Sequence, residues 1–177
     1  MEAGREFRER APVVAGRRVT VDAIDFDAIE AAVTAGNDWY STAVVRDDEH
    51  VAFVRNRWSD GWVLPGGGIE ARETPAGAAR REVREETGLA VEAIRPIGYV
   101  EQRFEPPTGD AVAVGHMAVF AAEAVTSSFG DDLGETADEI EDAAWFADVP
   151  DRLDGVSRDL LERLLVESER TSPEGGE

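Results

Sequence analysis

The sequence predicts a single domain built of both strand and helix segments, and three observations carry that expectation. Segments with strand character alternate along the chain with segments of helix formers. One helix, over residues 75–87, is punctuated at both ends. The 177 residues hold no internal repeat and no dividing linker, and a chain of this size buries roughly 70% of its unfolded surface around one core.

Residues 1 to about 17 are polar and Arg-rich with little periodicity, which fits a mobile segment or an edge element. Arg18–Ala23 alternates weakly and reads as a short strand, and Asp25 caps a helix that runs to about Thr34 and ends at Gly36. Trp39–Arg46 reads as a strand, Asp47-Asp48-Glu49 as a turn, and Val51–Arg55 as the returning strand of a hairpin. Ser59-Asp60-Gly61 is a second turn, followed by the short apolar run Trp62-Val63-Leu64. Pro65 and the three glycines after it are expected to break regular structure. Thr74 is then a good N-cap, Pro75 occupies a first-turn site whose amide needs no partner, and Gly88 stands where a left-handed C-terminal residue is wanted. Leu89–Pro96 and Ile97–Phe104 are strand material broken at Pro96; 106–110 is a loop; Ala111–Val125 is one long strand or two. Residues 126–138 form an exposed acidic loop, Glu139–Phe146 is the last strand, and Val156–Glu169 is an amphipathic helix with Leu160, Leu161, Leu164 and Leu165 on one side. The ending TSPEGGE is expected to be disordered.

Composition narrows the function classes. Asp and Glu number 38 against 18 basic residues, a net charge of −20, and every basic residue is Arg. A surface so acidic repels itself at low ionic strength and is relieved by screening. It reads as adaptation to a salty cytoplasm, the alternative being a high-GC genome that replaces Lys by Arg. It argues against a sequence-independent nucleic-acid binder, which needs a basic surface. Cysteine is absent, which removes disulfides and cysteine-bound zinc and is compatible with a reducing cytoplasm. The N-terminus has no apolar run of a signal peptide, and no segment approaches the roughly 18 apolar residues of a membrane helix. A soluble, cytoplasmic protein is expected, with a homodimer left open.

The chemistry concentrates on the punctuated helix. Glu82, Glu85 and Glu86 stand at i, i+3 and i+4, on one face. Three like charges so close repel, and without a cation at least one carboxyl should have a raised pKa. Hard oxygen donors at this density suit Mg2+, with Mn2+ as the alternative, rather than zinc. Taken alone, such a run is a solvated acidic face; its surroundings change the reading. Gly67 is followed after five residues by Glu73, and Glu73 after seven by Arg81-Glu82-Val83, then Glu85-Glu86, then Gly88-Leu89.

This pattern resembles the Nudix family, whose signature it matches at every fixed position over residues 67–89. The lead-in Trp62-Val63-Leu64-Pro65-Gly66-Gly67 is similar to the family's usual run, and the one departure is Arg72, where many members have Gly. The resemblance implies an α/β/α sandwich with a mixed β-sheet between helices. It places the Nudix domain at 36–168, with 1–35 an N-terminal extension or an accessory strand and helix, and 169–177 a tail. It also implies a divalent-metal-dependent hydrolase acting on the diphosphate linkage of a nucleoside-diphosphate derivative, such as ADP-ribose or another nucleotide pyrophosphate. Glu82, Glu85 and Glu86 match the metal-binding carboxylates and Gly66 the glycine whose carbonyl joins them; Glu73 and Arg81 match an ion pair bracing the loop. Gly67 and Gly88 are backbone positions, for a tight turn and the helix stop.

A carboxylate must take the proton of the attacking water. Within the box Glu82 and Glu85 are available; outside it the candidates are Glu135, Glu139, Glu141 and Glu101, of which Glu139 is preferred because it opens the last strand beside the acidic loop. Arg55 and Arg57 are candidates for gripping phosphate, the alternative being an exposed strand face. Trp58 and Trp62 have two readings, base stacking and hairpin packing, with packing preferred. His50 and His116 are given no catalytic role. Pro106 and Pro107 stand near the place of a proline found in some relatives that act on ADP-ribose. Two rival readings follow from the resemblance. A non-catalytic nucleotide-sensing module usually loses box carboxylates, and an isomerase of prenyl diphosphates wants a cysteine that this chain lacks.

Overall fold

The computed structural model describes residues 2–134, 136, 139–154 and 156–161. The described elements are α1 (Glu2–Arg10), β1 (Val13–Thr20), α2 (Ala23–Thr34), β2 (Trp39–Asp47), β3 (His50–Asn56), β4 (Gly66–Gly68), α3 (Pro75–Thr87), β5 (Val91–Glu105), β6 (Ala113–Ala124) and β7 (Ile140–Phe146). Residues 156–161 are helical, as expected; Leu164, Leu165 and the ending TSPEGGE lie outside the described residues. Among the described residues no helix is long and apolar enough to cross a membrane.

The described strands form one mixed sheet in the order β1-β5-β6-β2-β3-β7, with β4 pairing on β2. The β1/β5 and β2/β6 pairs are parallel and the others antiparallel. Both faces of this sheet are covered. Along β2, Ala43 and Val45 join one core cluster with Ala118 and Phe120 of β6 and Ala78, Ala79 and Val83 of α3. Val44 joins the other, with Phe53, Val119, Leu153, Leu160 and Leu161. Successive side chains of a strand point to opposite faces, so the near-continuous burial from Ser41 to Val45 is that of a strand covered on both sides. The result is a sheet sandwiched between helices, the arrangement the resemblance implied.

Where the structure departs from the sequence expectation, a tertiary partner explains it. The polar N-terminal segment forms α1, because Phe7 docks on Trp39 and Phe120 (ring centroids 6.2 and 5.4 Å apart). The first strand is Val13–Thr20 rather than Arg18–Ala23; it lies at the sheet edge and pairs in parallel with β5 from Tyr99 onward. The N-cap of α2 is Asp22, not Asp25: its carboxylate accepts from the backbone N–H groups of Ile24 and Asp25. Residues 91–105 form one strand through Pro96, with register shifts against β6 on both sides of it and Ala93 at φ 48°. Pro96 is tolerated because β1 pairs only from Tyr99, which leaves that stretch of β5 without a second neighbour. The expected break at Pro65–Gly68 is instead β4: Gly66, Gly67 and Gly68 pair with Thr42, Ser41 and Tyr40. A Cβ on Gly66 would lie 2.4 Å from the Ser41 carbonyl oxygen, so glycine is what lets this strand close.

The helix that carries the chemistry has the ends its sequence predicts. Thr74 accepts from the Gly77 N–H, Pro75 opens the first turn, and Gly88 stops the helix at φ 72°. The loop at Gly130 presses against that stop, its N–H donating to the Thr87 carbonyl at 3.0 Å. A Cβ on Gly88 would meet Gly130 N at 2.5 Å.

Candidate active site

Three structures converge on one cavity of about 820 Å3: β4, the acidic face of α3, and the segment before β7. Helix α3 lays Ala78, Ala79 and Val83 on the sheet and turns Glu82 and Glu86 toward β4, while Glu85 is held by Arg81 and does not line the cavity. Glu86 is the most deeply placed of them, 6% exposed, and accepts from the Gly66 N–H at 2.8 Å. Burial pushes its carboxyl up to about 8; the Gly66 N–H opposes this, and the nearby charges of Glu82, Glu139 and Glu85 add to it. The raised carboxyl expected from crowding is therefore Glu86, with burial as the larger cause.

Arg81 holds the remaining acids. Its Nη1 donates to Glu82 (2.8 Å) and Glu85 (2.9 Å), its Nε and Nη2 to Glu73 (3.2 and 3.1 Å), and Nη2 also to the Gly68 carbonyl (2.8 Å). These bonds keep the guanidinium well above its ordinary pKa, Glu73 contributing most. For Glu73, burial works upward, but the bonds from Arg81 and the Glu70 N–H win and hold its carboxyl down. The Glu73–Arg81 pair thus braces the loop on the helix, and the same arginine also neutralises two of the box acids. Helical spacing offers the bond to Glu85, four residues on; the bond to Glu82, the next residue, is seen only in the structure.

Gly67 serves a different purpose from the tight turn expected of it. It lies in β4, and a Cβ there would sit 2.5 Å from the Glu82 carboxylate. The requirement is room for that carboxylate. Arg72, the departure from the family pattern, has φ 72°, a left-handed backbone that glycine adopts freely.

The other sequence candidates divide. Glu139 lines the cavity and is close enough to raise Glu86. Glu141 instead accepts from Arg55 Nε at 3.1 Å across β3 and β7, Glu101 pairs with Arg103, and Glu135 lies outside the described residues. Arg55 is not brought to the cavity: besides Glu141 it lies over the Trp62 ring, 5.6 Å from its centroid. Arg57 sits 4.6 Å over the ring of Trp58, and Trp58 is at the cavity. Pro106 and Pro107 do not line it. His116 is buried, stacked on Trp39 at 4.8 Å, and burial lowers its pKa. Sequence reasoning passed over Tyr40 and Asn56 at the cavity, and their only signal was strand parity next to the box.

The donor set is all oxygen, with a buried carboxyl at its centre, and so fits a hard divalent cation. Among the described residues no three acids converge on a single point as they stand. The reason is visible: the Arg81 guanidinium bridges Glu82 and Glu85, and Gly66 N–H holds Glu86. Binding a cation requires those carboxylates to turn from the arginine.

The NUDIX domain family model matches residues 39–163. The chain belongs to the Nudix family. Its curated relatives include diphosphoinositol polyphosphate phosphohydrolase 3-alpha of Homo sapiens, 44% identical over 61 residues, or 34% of this chain and 37% of that protein. Diphosphoinositol polyphosphate phosphohydrolase 2 of Rattus norvegicus is 41% identical over 58 residues, or 33% and 32% of the two chains. The matched segment thus spans about a third of these relatives. Among solved structures, a MutT Nudix hydrolase from Burkholderia pseudomallei is 26% identical with a TM-score of 0.52, covering 72% of this Nudix chain and 97% of that one. An ADP-ribose pyrophosphatase from Streptococcus suis shares the fold at 19% identity and TM-score 0.54, covering 77% and 94%.

Proposed function

We propose that this Nudix protein hydrolyses the diphosphate linkage of a nucleoside-diphosphate derivative in the cytoplasm, with Mg2+ or Mn2+ held by Glu82, Glu85, Glu86 and the Gly66 carbonyl. The observation that supports it most is the buried Glu86 among Glu82, Glu85 and Glu139, a carboxyl that is protonated near neutral pH unless a cation replaces its proton. Burying a charge at such a place is unfavourable, and a divalent cation among these carboxylates offsets that cost. A divalent cation bound there neutralises phosphate oxygens and lowers the pKa of a bound water. The chain's own residues do the rest. Glu139, which lines the same cavity near Glu86, takes the proton of the attacking water. Arg81 keeps the loop against the helix through Glu73 and Gly68 while its bonds to Glu82 and Glu85 give way. The ADP-ribose pyrophosphatase and the diphosphoinositol phosphohydrolases support diphosphate cleavage as the reaction class.

The test is a turnover panel of ADP-ribose, dinucleoside polyphosphates, NADH and oxidised dGTP, with Mg2+ and high salt. Glu85→Gln is expected to lower kcat by about 10^3-fold or more with the fold intact by circular dichroism. Equal activity in that variant removes the metal role, and tight nucleotide binding without turnover anywhere on the panel replaces the hydrolase by a sensor.

A further inference from the structure

Two tryptophans flank the turn before the box, and the structure gives them opposite surroundings. Trp62 is packed, its ring 4.8 Å from Phe146 and within the second core cluster. Trp58 is 64% exposed and stands at the cavity that holds Glu82, Glu86 and Glu139. What sets Trp58 apart is its place: an exposed indole at this cleft offers a flat apolar face with a polar N–H edge.

The backbone that carries the ring is nevertheless fixed. Asn56 Oδ1 accepts from the N–H groups of both Trp58 (3.1 Å) and Ser59 (3.0 Å), and Ser59 Oγ donates to the Gly61 carbonyl (2.9 Å). Arg57 lies over the indole at 4.6 Å, a cation–π contact. Its backbone N–H reaches the Glu139 carbonyl at 3.4 Å, tying this turn to the segment that bears Glu139. Tyr40, 36% exposed, lines the same cavity from β2.

The charges of the cavity separate two substrate classes. Its lining carries Glu70, Glu82, Glu86 and Glu139 against Arg81, and Arg81 is engaged by Glu73, Glu82, Glu85 and Gly68. Such a wall is poorly matched to a ring bearing many phosphates, which needs a cluster of basic side chains. An uncharged planar ring attached to a single diphosphate needs only a stacking surface. We infer that Trp58 is the platform on which the substrate's planar base stacks, so that the cleft selects base-bearing diphosphates over diphosphoinositol polyphosphates. This inference rests on the proposed diphosphate site and adds the residue that chooses the substrate.

The experiment compares ADP-ribose, 5-phosphoribosyl 1-diphosphate (a diphosphate with no base) and a diphosphoinositol polyphosphate, in the full chain with Mg2+. Trp58→Ala is expected to lower the ADP-ribose to base-free ratio of kcat/KM by about ten- to a hundredfold, the range of one base–aromatic stack. The loss should lie in KM, and Trp58→Phe should restore most of it. An unchanged ratio, or a wild-type preference for the diphosphoinositol compound, overturns the inference while leaving the hydrolase reading standing. A second readout needs no turnover: adenosine monophosphate should quench the tryptophan fluorescence of the wild type and not that of Trp58→Phe. Quenching by Trp58 in a protein that cleaves nothing on the panel keeps the platform and removes the hydrolase. Identical quenching in the two proteins removes the platform.

Discussion

The box helix and the turn at residues 56–61 face one cavity but are held in opposite ways. In the box, one arginine ties the network together: Arg81 bonds Glu73, Glu82, Glu85 and the Gly68 carbonyl, and Glu86 is buried on the Gly66 N–H. In the turn, two short side chains, Asn56 and Ser59, close the loop, and the Trp58 ring it carries is exposed. The difference teaches where each kind of work is done. Groups of the box are held in a bonded network, so a change there disturbs the fold as well as the chemistry. Groups that choose among substrates stand at the surface, where a change alters affinity without disturbing the fold.

The strongest way to break this contrast is Glu86→Gln. Activity should fall by about 10^3-fold or more, because a neutral amide cannot replace a carboxylate toward a divalent cation. Stability should move the other way. The Glu86 carboxyl is raised from 4.5 to about 8 in the fold. Between those values the native state binds more protons than the unfolded one, so its contribution is full below 4.5, declines as pH rises, and levels off above about 8. At about 1.4 kcal/mol per pKa unit the loss is on the order of a few kcal/mol. In EDTA, the melting temperature of the wild type should therefore fall from pH 5 to pH 9 more steeply than that of Glu86→Gln, and Mg2+ should restore the wild type at pH 8 alone. Parallel melting curves across that range would show that Glu86 is not buried as described.

Arg81→Ala gives a smaller effect on the same side of the comparison. It removes the brace and leaves Glu73, Glu82 and Glu85 without their counter-charge. Breaking a fully buried pair costs about 3–5 kcal/mol; with Arg81 21% exposed, about 2–3 kcal/mol is expected. Because a divalent cation also neutralises Glu82 and Glu85, Mg2+ should raise the melting temperature of Arg81→Ala by more than that of the wild type. Arg81→Lys should recover only part of the loss, since one ammonium cannot span four acceptors. An equal Mg2+ shift in wild type and variant would mean that the arginine and the cation do not compete.

How much of this was legible in the sequence follows the same division. The box helix was readable to its ends because Thr74, Pro75 and Gly88 act locally, and the acidic face follows from spacing alone. Strand β4 was not readable, since three glycines carry no side-chain pattern; it forms because Tyr40–Thr42 of β2 offers it a pairing edge. Helix α1 was hidden because its docking rests on Phe7 meeting Trp39 and Phe120 across the fold. Glu139 could be chosen only by its place in the chain; its proximity to Glu86 is a product of β7 joining β3. Trp58 and Trp62 look alike in sequence. Phe146, far along the chain, separates them.

The smallest expected effect tests whether the box loop tolerates its one departure from the family pattern. Arg72 holds φ 72°, a conformation that costs a non-glycine residue roughly 1–2 kcal/mol. Arg72→Gly removes that strain and gives the unfolded chain back about 0.4–1 kcal/mol of conformational freedom. The net is a gain between zero and about 1.5 kcal/mol, read as a rise of a few degrees in melting temperature. Arg72 makes no side-chain hydrogen bond or ion pair among the described residues, so no lost contact should mask the gain. A lower melting temperature would place the arginine's value in its charge beside Glu70 and Glu73 rather than in its backbone, and Arg72→Asn, which keeps the left-handed preference without either the charge or glycine's freedom, would separate the two.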